Sequence, residues 1–370
     1  MAKAKFMKAP HALAEAALRA GCKLCVAYPI TPTELVIEYW VENQPRFPGA
    51  SSFIAECELD GGNYLFGAAC TGVRTMFAST GTGMDLISET VGAMIGGELP
   101  VVLANFSRGG GGGLSISQED YFKSVKAPGH GGGHCIVLAP YSAQEVYDLT
   151  LDAFDMAERY HNPVIILGDY SLGLMMEKVE FNQPVYPPLP EKTWALTGHT
   201  NRPPRSSGGG GGEGGVTSGQ AQANLDESLE GMSASKRKAR LKDLKFQSIP
   251  TRAERFQVDD AEIVAVAFGA AARIVKTGVK MLREQGMKVG MFRPITLFPF
   301  PNKELHELGG RARQVVVVEC NHGQMVEDVR VAVGGQAPVH FYDITGGATP
   351  TPGEVAQEIK RLTQRQEVAV

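Results

Sequence analysis

The 370-residue sequence has no apolar run long enough to cross a membrane, because no segment reaches the roughly 18 uncharged apolar residues that a span requires. It also has no strong excess of one charge: the formal net charge is −4, and the only long cationic run lies at 236–245. These absences argue against a membrane or a nucleic acid as partner. The basic N-terminus leads into a helical pattern without a signal-peptide core, so we expect a cytoplasmic protein.

Cysteine is scarce, and only Cys22 and Cys25 are spaced like metal ligands. Because no second pair completes a four-sulfur site, the sequence predicts no iron–sulfur cluster in this chain. We interpret Cys22 as the end of a helix and Cys25 as part of a buried strand, with a redox or metal role as the alternative. His130, His134 and His322 lie near glycines without regular ligand spacing, which favours loop residues over metal ligands.

Fingerprints of nucleotide-binding loops are also missing. The stretches Ser79–Gly83 and Arg108–Gly113 match neither the phosphate loop nor the dinucleotide pattern. Neither is followed, about 20 positions on, by an acidic residue that would hold a ribose. An independent nicotinamide-dependent dehydrogenase is therefore a disfavoured alternative.

What the sequence does contain is an alternation of apolar strand-length runs with helical patterns. This alternation predicts an α/β fold with a doubly wound, mostly parallel sheet covered by helices on both faces. From 184 to 258 the pattern gives way to prolines, glycines and charges, which predicts an interdomain connection whose segment Gly208–Gly215 lies at the surface. A second alternation then predicts a smaller Rossmann-like domain. The predicted domains are 1–183 and 259–370, joined by 184–258.

The predicted helix from Leu59 to Cys70 contains three glycines, Gly61, Gly62 and Gly67. Each weakens a helix by up to about 1 kcal/mol relative to alanine. Glycine at these positions indicates that another part of the chain packs very close to the helix.

A stiff corner follows the first predicted strand, at Tyr28-Pro29-Ile30-Thr31-Pro32. The prolines fix their own φ angles and favour an extended conformation in the residue before each. The corner would project the Thr31 hydroxyl from the carboxyl end of a strand, where open α/β sheets bind ligands. A proline-shaped loop without chemistry is the alternative.

Two charged residues occupy similar junctions. Glu58 stands at the start of a predicted helix, where a carboxylate is favoured by the free N–H groups, although Glu56 or Asp60 would serve as well. Arg108 ends an apolar strand and precedes five glycines, a pattern suited to gripping a small carboxylate. An ion pair between Arg108 and a neighbouring acid is the alternative.

Taken together, these segments resemble the α subunit of the thiamine diphosphate-dependent 2-oxoacid:ferredoxin oxidoreductases, most closely the 2-oxoisovalerate and 2-oxoglutarate branches. The matching motifs cover nearly the whole chain outside 200–250. They are Tyr28-Pro29-Ile30-Thr31-Pro32, Glu56-Cys57-Glu58, Arg108-Gly109-Gly110, the segments 117–122, 139–142, 162–169 and 292–301, and Glu319-Cys320-Asn321-His322-Gly323 with its continuation to 330.

The resemblance implies a role for each candidate residue. Residues 1–183 would form the domain that binds the cofactor's pyrimidine, and 259–370 a transketolase C-terminal-like domain. Glu58 would hydrogen-bond N1′ of the aminopyrimidine, while the corner residues Tyr28, Pro29 and Ile30 would line the cofactor. Thr31 and Arg108, with Gly109 and Gly110, would bind the carboxylate or keto oxygen of the substrate.

The resemblance also implies that other chains complete the enzyme. No Gly-Asp-Gly motif with a downstream asparagine occurs, so a β subunit would hold the diphosphate and its Mg²⁺. A γ subunit and a ferredoxin-like subunit with [4Fe-4S] clusters would pass electrons to ferredoxin or another acceptor, and coenzyme A would accept the acyl group. The implied reaction is the oxidative decarboxylation of a 2-oxoacid to its acyl-CoA.

Two departures from the family pattern concern the substrate. Lys8-Ala9-Pro10-His11 replaces the usual Lys-Gly-Asn-Glu, and the loop after Arg108 is unusually rich in glycine. Fewer side chains there would widen the substrate pocket, so an aryl 2-oxoacid such as phenylglyoxylate is an alternative to a branched-chain acid or 2-oxoglutarate. A non-catalytic scaffold subunit is the alternative from another class of function.

Overall fold

The computed structural model describes residues 4–109, 113–129, 133–189, 191–198, 244–347 and 349–364. Gly110, His130 and the segment Gly208–Gly215 lie outside the described residues, so the predictions made for them stay predictions. No helix within the described ranges combines the length and the apolar character that a membrane span requires.

The elements alternate along both halves of the chain. The strands are β1 (Ala4–Lys8), β2 (Leu24–Ala27), β3 (Ser51–Ile54), β4 (Thr75–Ser79), β5 (Val102–Ser107), β6 (Ile136–Leu138), β7 (Val164–Asp169), β8 (Met176–Glu180), β9 (Ala253–Phe256), β10 (Ile263–Val266), β11 (Val289–Pro294), β12 (Thr296–Phe298), β13 (Gln314–Glu319) and β14 (Val339–Asp343). The α-helices are α1 (Ala9–Arg19), α2 (Glu34–Asn43), α3 (Glu58–Cys70), α4 (Thr82–Leu86), α5 (Ser88–Gly96), α6 (Tyr121–Val125), α7 (Ala143–Tyr160), α8 (Tyr170–Leu174), α9 (Gly269–Glu284), α10 (Asn302–Gly309), α11 (Met325–Val333) and α12 (Pro352–Gln364).

The larger sheet has seven strands in the order β12-β6-β7-β5-β4-β2-β3, and all its pairings except that of β12 are parallel. Alternate residues of each strand face opposite layers of helices. In β5, Val102, Ala104 and Phe106 pack with α1, α2 and α7, whereas Leu103 packs on the side of α3 and α5. The predicted doubly wound, mostly parallel fold is confirmed.

The smaller sheet has five strands in the order β14-β13-β10-β11-β9, parallel except for β9. Helices α9 and α12 cover one face, where Val275, Val279 and Ile359 are buried. Helices α10 and α11 cover the other face, and their buried residues join one apolar cluster with residues of the larger sheet. This sheet and its helices are the predicted smaller Rossmann-like unit.

Three local features differ from the sequence-based expectation. The pattern over 84–97 predicts one helix, but the structure divides it at Ile87 into α4 and α5. The pair Arg293-Pro294 predicts a turn, but both residues belong to the end of strand β11. Strand β12, from the second half of the chain, pairs with β6 at the edge of the first sheet. The last feature has no local signal, because a strand of three residues is too short to show a strand period.

Candidate active site

The candidate residues follow neighbouring strands of the larger sheet. Strands β3, β2, β4 and β5 are adjacent and parallel, so their carboxyl ends meet at one edge. Thr31 follows β2, Glu58 follows β3 and Arg108 follows β5. The structure therefore places the three predicted residues on the edge where α/β sheets bind ligands.

The corner after β2 is held by its own hydrogen bonds. The Thr33 hydroxyl and the Thr33 N–H both donate to the Ile30 carbonyl, at 2.8 and 2.7 Å, and α2 begins at the next residue. Pro32 is buried against Gly173, where a Cβ would come within 2.6 Å of the proline ring. The other four residues of the corner proposed from the sequence keep part of their surface exposed and remain available to a ligand. They are Tyr28, Pro29, Ile30 and Thr31.

Thr31 and Arg108 lie in direct contact. The Arg108 guanidinium donates from Nη1 to the backbone carbonyl of Thr31 at 3.0 Å, across 77 positions of sequence. Within the described part of the chain Arg108 forms no ion pair, so the alternative of a structural pair with a neighbouring acid finds no support there. Among the described residues, four of its five N–H donors have no hydrogen-bond partner and can serve a ligand. The adjoining Gly109 is held by its N–H, which donates to the Ser115 carbonyl at 3.1 Å.

Glu58 is the first residue of α3 and is only 5% exposed, whereas Glu56 and Asp60 are exposed. Sequence spacing alone did not show which of these three acids faces the interior, whereas burial singles out Glu58. The Ser79 hydroxyl, at the end of β4, donates a long hydrogen bond of 3.5 Å to Oε1 of Glu58. Gly83 packs directly against the carboxyl, since a Cβ there would lie 2.9 Å from the Glu58 Cδ. Among the described residues this buried carboxyl has only that long hydrogen bond, so its other oxygen is able to bond a ring nitrogen such as N1′ of the aminopyrimidine of thiamine diphosphate.

Helix α3 lies close to the sheet, as its glycines predicted. A Cβ at Gly61 would come within 2.6 Å of the Phe77 ring, and one at Gly62 within 3.2 Å of Ile87. A Cβ at Gly67 would meet no described atom within 4 Å, so the prediction is wrong for that residue.

Cys22 and Cys25 behave as small apolar groups. Cys22 follows α1 and Cys25 lies inside β2, both fully buried. Burial raises the pKa of each thiol, which disfavours the thiolate that a metal would need. No group of metal-ligating side chains is found among the residues that the structure describes. His134 instead stacks on Phe298, with ring centroids 4.2 Å apart.

Two residues that the sequence did not single out join the site's edge to the smaller unit. Gln118 donates from Nε2 to the Phe268 carbonyl at 2.8 Å and accepts from the Cys320 N–H at 3.0 Å. Asp169, at the end of β7, accepts from the N–H groups of Leu172 and Ala270 at 3.0 and 2.7 Å, and its burial raises its pKa. In the sequence, the only indication of a role for Gln118 and Asp169 was that they lie in the family motifs 117–122 and 162–169.

A cavity of about 210 Å³ lies between these two units, beside Gly109. The described residues that line it are Gly109, Gly113, Ser115, Ile116, Ser117, Glu119, Cys320, Asn321, Ile344, Thr345, Gly346 and Gly347. Glu119 is the one charged side chain among them.

Comparison with known proteins identifies the family. Residues 15–239 match the model of the thiamine diphosphate-binding domain of pyruvate flavodoxin/ferredoxin oxidoreductase, and residues 261–355 match core domain II of pyruvate:ferredoxin oxidoreductase. The chain belongs to the 2-oxoacid:ferredoxin oxidoreductase family. The resemblance stated from the sequence motifs is confirmed, and with it the thiamine diphosphate-dependent oxidoreductase class of the enzyme and its assembly from several subunits.

Curated relatives in this 2-oxoacid:ferredoxin oxidoreductase family match along nearly the whole chain. Ketoisovalerate oxidoreductase subunit VorB of Methanothermobacter marburgensis is 37% identical over 366 residues, which cover 97% of each chain. The 2-oxoglutarate synthase subunit KorA of Methanothermobacter thermautotrophicus is 30% identical over 374 residues, covering 97% of this chain and 99% of the relative.

A solved structure of 2-oxoglutarate:ferredoxin oxidoreductase from Magnetococcus marinus has the same fold. It superimposes with a TM-score of 0.80 at 24% identity, over 98% of this chain and 65% of that chain. A split-gene transketolase matches more loosely, with a TM-score of 0.59 at 13% identity. These likenesses concern the fold alone.

Proposed function

We propose that this chain is the α subunit of an enzyme that oxidatively decarboxylates a branched-chain 2-oxoacid, with Glu58, Thr31 and Arg108 as its working residues. The observation that carries the proposal is the buried Glu58 carboxyl on the same sheet edge as the contacting pair Thr31 and Arg108. The overall reaction converts the 2-oxoacid and coenzyme A to an acyl-CoA, carbon dioxide, a proton and two electrons.

Glu58 would act on the cofactor. Thiamine diphosphate, when bound, supplies the carbon nucleophile that attacks the keto carbon of the substrate and holds the electron pair released with carbon dioxide. Glu58 would hydrogen-bond N1′ of the aminopyrimidine, which would favour the ring tautomer that can take a proton at its 4′-nitrogen. Burial suits the task, because a carboxyl away from water keeps its strength as a hydrogen-bond partner. Tyr28, Pro29 and Ile30 would line the cofactor.

Thr31 and Arg108 would hold the substrate. The free N–H groups of the guanidinium match a carboxylate in two parallel bonds, and the Thr31 hydroxyl can donate to the keto oxygen or the carboxylate. The bond from Arg108 to the Thr31 carbonyl fixes the two groups relative to each other before substrate arrives, which reduces the ordering cost of binding. Gly109 and Gly110 would let the substrate approach the backbone closely.

The choice of substrate rests on similarity and on the cavity beside Gly109. Identity is higher with the ketoisovalerate subunit, at 37%, than with 2-oxoglutarate synthase subunits, at 30 and 32%. If the substrate's side chain enters the cavity of about 210 Å³, a second carboxylate would meet Glu119 and no basic side chain among the described lining residues. An uncharged branched side chain is favoured, and the volume also admits an aryl group as the second candidate.

Partner subunits would complete the site. A β subunit would hold the diphosphate and Mg²⁺, and a γ subunit and a ferredoxin-like [4Fe-4S] subunit would carry the two electrons to ferredoxin or another acceptor. The chain by itself is expected to be inactive. The alternative, a scaffold subunit without catalytic residues, predicts that no residue on this sheet edge affects turnover once the complex has formed.

The test is to purify the complex through this chain, measure its subunits, thiamine diphosphate and iron, and assay it. The assay follows reduction of a viologen dye with coenzyme A and 2-oxoisovalerate, 2-oxoglutarate, pyruvate or phenylglyoxylate. We expect the highest kcat/KM with 2-oxoisovalerate. Preference for phenylglyoxylate would support the aryl alternative, and preference for 2-oxoglutarate would refute the argument from Glu119. If this chain is purified without partner subunits, thiamine diphosphate or iron, the result would contradict the proposed function.

A further inference from the structure

Beneath Glu58, two buried polar side chains of the larger sheet lie side by side on neighbouring strands. The parallel register of β4 and β5 sets Ser79 beside Asn105. Because residues two apart on a strand share a face, Ser79 lies on the face of Phe77, and Asn105 on that of Leu103. Phe77 and Leu103 are buried in the same apolar cluster as residues of α3 and α5, so both polar side chains point to that side.

Asn105 is fully buried, yet within the described chain neither its Oδ1 nor its Nδ2 has a hydrogen-bond partner. Buried amides are almost always hydrogen-bonded, and each exception requires an explanation such as a bound water or a functional role. Packing alone does not explain the unpaired amide, because a leucine at position 105 would fill a similar volume without burying polar atoms. The amide must therefore find its partner nearby.

The nearest group in register is the Ser79 hydroxyl, which is also fully buried. A hydroxyl donates one hydrogen bond and accepts two. When Ser79 donates to Oε1 of Glu58, at 3.5 Å, its lone pairs stay available to a donor such as the Asn105 amide. A water molecule bridging the two side chains would make up the remaining distance, as in many buried polar networks.

We infer that Ser79 and Asn105 are positioning residues for Glu58, linked as Asn105 to Ser79 to Glu58 through a hydrogen-bonded chain that includes one water molecule. This inference rests on the proposed role of Glu58. These hydrogen bonds orient Oε1 of Glu58 and leave the other oxygen of the Glu58 carboxyl for the cofactor's ring nitrogen. Gly83 belongs to the arrangement because any Cβ there would displace Ser79 or Glu58.

The test uses the complete complex, with this chain carrying Ser79→Ala, Asn105→Leu or both. The matched control is Thr75→Val. Thr75 lies on the same face of the same strand, is fully buried and has a hydroxyl without a partner in the described residues, but it stands at the opposite end of β4. Glu58→Gln serves as the reference for complete loss of the Glu58 function. Thermal unfolding of each complex checks folding, and Asn105→Ala replaces Asn105→Leu if the latter does not assemble.

The principal measurement is the rate at which the C2 proton of bound thiamine diphosphate exchanges with D₂O, without substrate and at saturating cofactor. The dissociation constant of thiamine diphosphate is measured in parallel. A purely structural role would change stability or cofactor affinity but not the exchange rate of bound cofactor.

We expect Ser79→Ala to slow exchange about tenfold or more, as for loss of a hydrogen bond to a charged group, and Asn105→Leu to slow it about fivefold. The double variant should match Ser79→Ala, since Asn105 acts only through Ser79. Thr75→Val should leave exchange unchanged.

Normal exchange in Ser79→Ala and Asn105→Leu, with slow exchange in Glu58→Gln, would overturn the hydrogen-bonded chain while leaving the role of Glu58 intact. Additive losses in the double variant would also overturn it, because they would show two independent effects. Normal exchange in Glu58→Gln would remove the proposed role of Glu58 and the inference with it.

Discussion

Two glycines of helix α3 provide a matched test of how tightly this helix packs beside Glu58. Gly61 faces the Phe77 ring, which a Cβ would approach to 2.6 Å, whereas Gly67 has open space around it. Replacement by alanine removes the same helix penalty at both positions, about 1 kcal/mol each. At Gly61 the new methyl group also overpacks the core, at a cost of about 1 to 3 kcal/mol.

The Gly67→Ala variant should therefore gain about 1 kcal/mol in free energy of unfolding. The Gly61→Ala variant should show anything from no change to a loss of about 2 kcal/mol, since the overpacking cost opposes the same gain. Because the gain in helix propensity is the same in both variants, the difference between their free energies of unfolding is the overpacking cost at Gly61, about 1 to 3 kcal/mol.

Urea unfolding of the purified chain, followed by circular dichroism, gives both values. Gly61→Ala should also lower turnover in the complex, because the Gly61 N–H bonds the carbonyl of Cys57 at 3.1 Å, and moving this turn moves Glu58. Equal stabilisation by the two substitutions would refute the close packing of α3 on β4. It would also weaken the explanation for the burial of Glu58.

Two further predictions concern charged groups. Burial by itself would raise the pKa of Glu15, but hydrogen bonds from Arg46 and Arg19 outweigh it and hold the pKa below its usual value. The stability that Glu15 contributes is therefore present above its unfolded pKa, about 4.3, and is lost as the pH falls through the folded pKa. Glu15→Gln should cost about 1 to 3 kcal/mol in urea unfolding at pH 7 and progressively less below about pH 4, and a cost independent of pH would contradict this assignment. Arg108→Lys keeps the charge but loses the planar two-bond grip and the contact with Thr31, so it should lower kcat/KM for the 2-oxoacid about tenfold or more, mainly through KM, in steady-state assays of the complex. An unchanged KM would show that Arg108 does not bind the substrate.

Much of the fold could be predicted because strands β2, β4, β5 and β7 are continuous apolar runs, the pattern of strands covered on both faces. The short elements could not. Strand β12 has three residues, and its place beside β6 is decided by contacts between distant parts of the chain. Strands β1 and β8 pair with each other, and most of their residues are exposed or partly exposed, so they give no continuous apolar signal.

The sequence predicted which strand-to-helix junctions form the site, but it did not show which residue at each junction faces the site. Glu56, Glu58 and Asp60 are equivalent by spacing at the start of α3, and only the packing of the helix shows that Glu58 is buried. The contact between Arg108 and Thr31 joins residues far apart in sequence. Asn105 was hidden in an apolar strand, where nothing local indicates that its amide has no partner.

Turnover of the purified complex carrying Glu58→Gln, compared with one carrying Glu56→Gln, tests the central claim most directly. The two substitutions are the same chemical change, two residues apart at one helix start, and differ in that Glu58 is buried and Glu56 is exposed. With thiamine diphosphate content and subunit composition equal to wild type, we predict that Glu58→Gln lowers kcat at least about a hundredfold, the scale of a lost general acid–base contribution, while Glu56→Gln retains wild-type turnover. Wild-type turnover in Glu58→Gln would contradict a direct role for this carboxyl in catalysis and would support the scaffold alternative.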